Sequence, residues 1–229
     1  MTISPDSIVL WQWGAFSLNA TLLFTWAVMA SLTICAWAIT RRFTDGPRLS
    51  RWQNLLEVLV TGVRDQIREV SRQDPDPYLP FIGTLFIFIA ASNLLTIVPG
   101  YLPPTGSLST TAALAITVFV AVPLFGIARD GVGPYLRHYV RPSVFMLPFN
   151  IIGELSRTIA LAVRLYGNIM SGTVIVAILL GLAPFFFPVA MQLLGLVTGL
   201  IQAYIFAVLA VVYVASATAA RTTQGHRRP

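Results

Sequence analysis

Five stretches of this chain stay apolar for about the 20 residues that a helix needs to cross the hydrocarbon core of a bilayer. They run from Leu18 to Ile39, Tyr78 to Val98, Leu108 to Ile127, Phe149 to Ala183 and Val189 to Ala220. No water-soluble fold can hide so much apolar surface behind so few charges. Charged residues are only 10% of the 229, against 56% hydrophobic, whereas a soluble domain carries about 25% charged residues. The mean hydropathy of +0.76 agrees. A cytosolic enzyme, a disordered chain and a secreted disulfide scaffold are excluded. The single Cys35 has no internal partner and reads as inert apolar filler. The fold class is therefore an all-α membrane protein.

All 15 basic residues are arginine, set against nine acids, for a net charge of +6. They cluster at the ends of the apolar runs, which points to membrane orientation rather than to nucleic acid. Residues 1–40 hold no arginine, 41–77 hold seven, 99–107 none, 128–142 three, 184–188 none and 221–229 three. Cytoplasmic loops are the arginine-rich ones, so the N-terminus is placed outside and the C-terminus in the cytoplasm. The first 40 residues lack the positive n-region of a secretory signal. Residues 48–72 carry charges every three or four positions, too polar to span, and suit an amphipathic helix lying at the surface. Asp74-Pro75-Asp76-Pro77 ends it. With no internal repeat or linker, residues 1–229 read as a single membrane domain.

The last two runs, 149–183 and 189–220, are too long for upright spans. At 1.5 Å per residue they make about 52 and 48 Å of helix, in a core roughly 30 Å thick. Either they are steeply inclined, forming a hairpin through Pro184-Phe-Phe-Phe-Pro188, or they break at Gly167 or Gly195. They are also unusually polar. Glu154, Arg157 and Arg164 lie inside the first of them, and an arginine at the bilayer centre costs about 2.5–3.5 kcal/mol on insertion scales. Arg157, Leu161, Arg164, Asn168 and Ser171 follow at steps of three and four, so a helix puts them on one face. In the second, Gln192, Gly195, Gly199, Gln202 and Phe206 do the same.

Bland explanations cover part of this. Arg157 can snorkel from the inner end of its helix, and Glu154 can pair with it one turn away. Gly195 and Gly199 can serve ordinary small-residue packing between helices. Arg164 resists such treatment. It lies about 15 Å further in than Glu154, has no acid within one turn, and in a membrane must face a partner or a water-filled cavity.

The stretch Glu154 to Gly172 (ELSRTIALAVRLYGNIMSG) resembles the penultimate helix of subunit a of F-type ATP synthases. Gln202 to Tyr213 (QAYIFAVLAVVY) resembles the last helix of that family, and Asn93 to Gly100 (NLLTIVPG) and Pro104 to Ala112 (PTGSLSTTA) its earlier membrane motifs. The resemblance covers most of the chain from about residue 50 onward. It implies an ion-translocating stator subunit with two half-channels beside a rotating ring of c subunits. Its other partners would be b-type stator subunits and, indirectly, the catalytic ATPase sector. Arg164 matches the family's essential arginine, opposite the ring carboxylate. Asn168 and Gln202 match residues of the ion pathway, where Ser171, Thr173, Glu154 and Arg157 are further candidates. Gly195 and Gly199 would allow close packing on the c ring. The implied location is the bacterial inner membrane. No metal or cofactor is expected, nor ATP catalysis by this chain alone, since it has no phosphate loop followed by lysine.

The chain departs from the family pattern at Thr173, Gly195 and Thr96, where many relatives carry titratable side chains. Thr158 replaces the proline that commonly follows the basic residue at 157. The coupling ion is thus H⁺ or, as in an alternative Na⁺-using type, Na⁺. A rival reading is a secondary transporter with Arg164 binding an anionic substrate, against which stands the lack of an inverted repeat. Another is a purely structural membrane subunit.

Overall fold

The computed structural model describes residues 9–13, 16–41, 51–98, 100–133, 146–182 and 187–218. A short antiparallel hairpin comes first, β1 (Val9–Trp13) and β2 (Phe16–Asn19). Trp13 pairs with Phe16 and Val9 with Asn19, with an irregularity between Val9 and Trp11. Nothing in the sequence reading anticipated it. Every longer element is helical: α1 (Ala20–Thr40), α2 (Arg51–Ser71), α3 (Leu79–Leu94), α4 (Leu108–Asp130), α5 (Met146–Leu182) and α6 (Phe187–Thr218). Five of them, all but α2, are long and apolar enough to cross a membrane. The chain is a multi-pass, all-α membrane protein with one amphipathic helix beside its spans.

Local chemistry sets the boundaries. Pro80 sits in the first turn of α3, where its missing N–H leaves no bond unmade. The helix tightens into a 3₁₀ turn at Leu95–Ile97, and a second such turn occupies Pro104–Gly106. α4 tolerates Pro123 inside it and ends at Gly131, whose φ of 82° suits glycine. α5 is continuous through Gly167 and α6 through Gly195, so of the two readings the unbroken helices hold and the break is absent. Their 37 and 32 residues make about 55 and 48 Å of helix. Of the turn expected at 184–188, Phe187 and Pro188 belong to α6, proline being favoured in a first turn. Residues 183–186, and the arginines of 137–141 and 221–228, lie outside the described residues.

Packing centres on α6, which touches α2, α3, α4 and α5. Lipid tails are as apolar as leucine, so helices here associate through close contact rather than the hydrophobic effect. The buried face of α6 fits that need: Gly199, Ala203, Ala207, Ala210 and Ala215 admit neighbouring backbones, with Phe206 and Val214 filling between them. α3 answers with Ile82, Leu85 and Ile89, and α5 with Leu161, Ala162 and Leu165. α1 is peripheral, with only Ala20, Thr21 and Val28 buried. At the end of the molecule that bears the arginine-rich segments, Arg64 pairs with Asp76, and Arg129 donates to Gln73 and to the Tyr78 hydroxyl.

Candidate functional site

The buried stripe of α5 is Leu161, Ala162, Leu165 and Ile169. Arg164 stands on the flank of that stripe and is exposed, as are Arg157 and Ser171, while Asn168 is half-buried. Steps of three and four continue this strip to Ile175 and Ile178, also exposed. The face expected from spacing therefore divides. Leu161 belongs to the core, and the polar members of the set look out of the chain. Among the described residues the one ion pair is Arg64 with Asp76, so Arg164 presents an uncompensated guanidinium beside an apolar strip.

Arg157 lies two turns from Arg164 on the same side, its guanidinium 5.8 Å from the ring centre of Tyr213 on α6. That contact, a cation against an aromatic face, ties Arg157 to the neighbouring helix. Glu154 is half-buried, and its carbonyl accepts a bond from the Thr158 hydroxyl at 3.0 Å. The Ser171 hydroxyl donates to the Asn168 carbonyl at 3.1 Å and the Thr173 hydroxyl to the Met170 carbonyl at 2.9 Å. Thr173 does not share the Arg164 strip. Nine residues on is two and a half turns at 3.6 residues per turn, which puts it on the opposite side of α5.

The face expected on α6 turns inward from Gly199 onward, where Gly199, Gln202 and Phe206 are buried, while Gln192 is exposed. Gln202 is buried at 6% exposure, and its side-chain Nε2 has no hydrogen-bond partner. A buried amide donor left unmade costs about 1–3 kcal/mol, and among the described residues none accepts from this one. No hydrogen bond joins Gln202 to Arg164 among the described residues, though α5 and α6 pack together.

The glycines separate too. A Cβ at Gly199 would lie 3.0 Å from Cβ of Asn93, while one at Gly195 would meet nothing within 4 Å. The close approach expected from Gly199 toward a ring is thus made inside this chain, toward α3. Small-residue packing accounts for it.

Sequence reasoning missed the residues on the other side of that contact. Asn93 is buried at 1% exposure and donates from Nδ2 to the Gly199 carbonyl at 2.8 Å. Its Oδ1 accepts from the hydroxyl of Thr105, itself fully buried, at 2.7 Å. Gln192 makes a second tie, donating to the Thr96 carbonyl at 2.8 Å. Ser92 and Tyr101 are a further buried pair of hydroxyls. Burial pushes the Tyr101 phenol up to about 12, and the Ser92 hydroxyl beside it works against the shift. The two oxygens do not meet at hydrogen-bonding geometry. The signal for Asn93 was present: an amide and a hydroxyl in otherwise apolar membrane sequence.

The family profile for the ATP synthase A chain matches residues 22–215. This chain belongs to that family. Its relatives match over nearly their whole length. An "ATP synthase subunit a 2" from Acaryochloris marina is 63% identical over 218 residues, 95% of this chain and 93% of the relative. An "ATP synthase subunit a" from Albidiferax ferrireducens is 59% identical over 221 residues, 96% of each chain. An "ATP synthase subunit a 1" from Chlorobaculum parvum is 60% identical over 221 residues, 96% of this chain and 98% of the relative. For a member of this family, an arginine on an outward strip and an unsatisfied buried amide on the adjoining helix are the two features that call for a partner.

Proposed function

We propose that this chain is the ion-translocating stator subunit of a rotary ATP synthase, with Arg164 stationed against the carboxylates of a revolving c ring. The single observation that carries the reading is the Arg164 strip: a membrane-level arginine, exposed and without an ion pair, on a helix too long to stand upright. α5 and α6 then lie as an inclined hairpin, their outer faces against the ring, in one membrane unit. The N-terminus is outside and the C-terminus in the cytoplasm of a bacterial inner membrane. b-type stator subunits hold it, and the ATPase sector is reached through them.

The chemistry follows from the fixed charge. Arginine stays protonated at every accessible pH, whereas a buried lysine can lose its charge. A cation in a low-dielectric site favours the ionised form of a nearby carboxylate and lowers its pKa. A ring carboxylate approaching Arg164 therefore releases its ion to one half-channel and, once past, takes another from the second. The same charge bars H⁺ or Na⁺ from passing directly between the half-channels, so flow must turn the ring. Asn168 and Ser171 line the strip, and the unspent Gln202 donor serves water or the carboxylate during passage. Thr173, Glu154 and Arg157 flank the route.

Replacing Arg164 by alanine in the reconstituted complex tests this. The expected result is loss of ATP-driven ion pumping with the subunit still assembled; normal pumping overturns the reading. A requirement of the assembled ATPase for Na⁺ distinguishes the Na⁺ form from the H⁺ form. A secondary transporter would purify alone or as a homo-oligomer instead of with a c ring.

A further inference from the structure

The 103–107 turn is fully enclosed: Pro103, Pro104, Thr105, Gly106 and Ser107 are all buried. A connection between spans normally lies at the surface, so this one is built into the helix packing. It touches α5 directly and reaches α6 through Asn93. A Cβ at Gly106 would lie 3.2 Å from the Ile169 side chain of α5, one residue beyond Asn168. Its neighbour Thr105 holds Asn93, and Asn93 holds the α6 backbone at Gly199, one turn before Gln202.

We infer that this turn and Asn93 form a positioning clamp that sets the axial register of α5 against α6, and hence of Arg164 relative to Gln202. The inference rests on the proposed function, since register matters only if the two side chains act on one passing group. Ile169 and Gly199 are gripped within about 8 Å along the axis of Arg164 and Gln202 respectively, so little helix is left to flex between grip and functional group. The grip is steric at Gly106 and both steric and hydrogen-bonded at Gly199, which resists sliding as well as rotation. The hydrogen bonds of Asn93 are directional: its amide has one donor and one acceptor side, and both are used. A polar network of this kind adds little to association in a membrane, where single interhelical hydrogen bonds are weak. What it adds is a defined register. Asn93 and Thr105 are positioning residues and need not touch the ion.

The test uses the whole complex reconstituted in vesicles, with Asn93→Leu, which keeps the number and branching of heavy atoms and deletes both bonds, Thr105→Val, which frees only Oδ1, and Arg164→Ala. Subunit content, ATP hydrolysis, ATP-driven pumping and the pH profile of pumping are measured for each. Asn93→Leu is expected to assemble, to lose about tenfold or more of its pumping per ATP hydrolysed, and to shift the pH profile, because a 1 Å misplacement can be worth roughly a hundredfold. Thr105→Val should move both readouts the same way by about threefold, since it loosens the clamp without removing it. Native coupling and an unmoved pH profile in both variants overturn the inference, as does a loss that merely follows subunit content. If Asn93→Leu does not assemble, Thr105→Val decides alone. Normal pumping by Arg164→Ala would sink the proposed function itself, whereas its loss alongside an unaffected clamp pair sinks only the register.

Discussion

Replacing Gly199 by alanine sets two opposed effects against each other, and the structure says which wins. Alanine is favoured over glycine inside a helix by about 1 kcal/mol, so an open site would be stabilised. Gly199 is not open: the new Cβ would lie 3.0 Å from Cβ of Asn93 and 3.3 Å from its Cγ and Nδ2. Carbon atoms prefer about 3.5–4.0 Å, and the nearest atom is the root of a buried side chain, which cannot swing aside. Overpacking of this kind costs typically 1–3 kcal/mol. Pushing Asn93 away also weakens its bond to the Gly199 carbonyl, worth about 1 kcal/mol. The net expectation is about 1–3 kcal/mol of destabilisation after the helix gain is subtracted. The assay is thermal release of this subunit from the purified complex, run as a double-mutant cycle with Asn93→Gly, the change that removes the Cβ met at 3.0 Å. Neighbouring sites couple by 0.5–3 kcal/mol in such cycles, and the double variant should be more stable than the sum of the singles. Gly199→Ala at or above native stability, with no coupling to Asn93, would refute the reasoning.

Gly106→Ala should destabilise more mildly, since the obstacle is the side-chain methyl Cγ2 of Ile169 at 3.2 Å, and Ile169→Leu, which removes that branch methyl at similar volume, should restore most of the loss in the same melting assay. Tyr101 keeps its proton to about pH 12 when folded, against 10 for an ordinary phenol; the folded state therefore binds more protons in that window. Stability is full below pH 10 and falls from 10 to 12, and Tyr101→Phe should flatten that alkaline limb in a pH series of melting curves. Asp76→Asn breaks an exposed pair, its side chains 44% and 57% accessible, so the change should stay within about 1 kcal/mol.

The membrane-length helices were legible because each is announced by unbroken apolar sequence, and α2 because its charges recur at helical spacing. Arg164 stood out because the cost of an arginine in lipid depends on residue type, not on context. The orientation of the polar faces was a different matter. Spacing put Leu161 with Arg164, and Gly199 with Gln202, but a helical repeat fixes only which residues share a side, never which neighbour that side meets. α6 turned its glycine and amide face toward α3, and α5 kept its arginine on the flank. Those choices depend on Asn93 and the buried 103–107 turn, long-range partners that no local pattern reveals. The β1–β2 hairpin escaped for a simpler reason, since its few residues carry no clear alternation.

Cysteine cross-linking in the assembled complex tests most directly whether the Arg164 strip meets a rotor. With Cys35 replaced by serine, single cysteines at Ser171 and Ile175 on the exposed strip should cross-link to cysteines placed beside the ring carboxylate. Cysteines at Leu161 and Leu165, exposed by 1% and 0%, should not. Cross-links from Ile159 and Val163, exposed but well round the helix from the Arg164 strip, with none from 171 or 175, would contradict it.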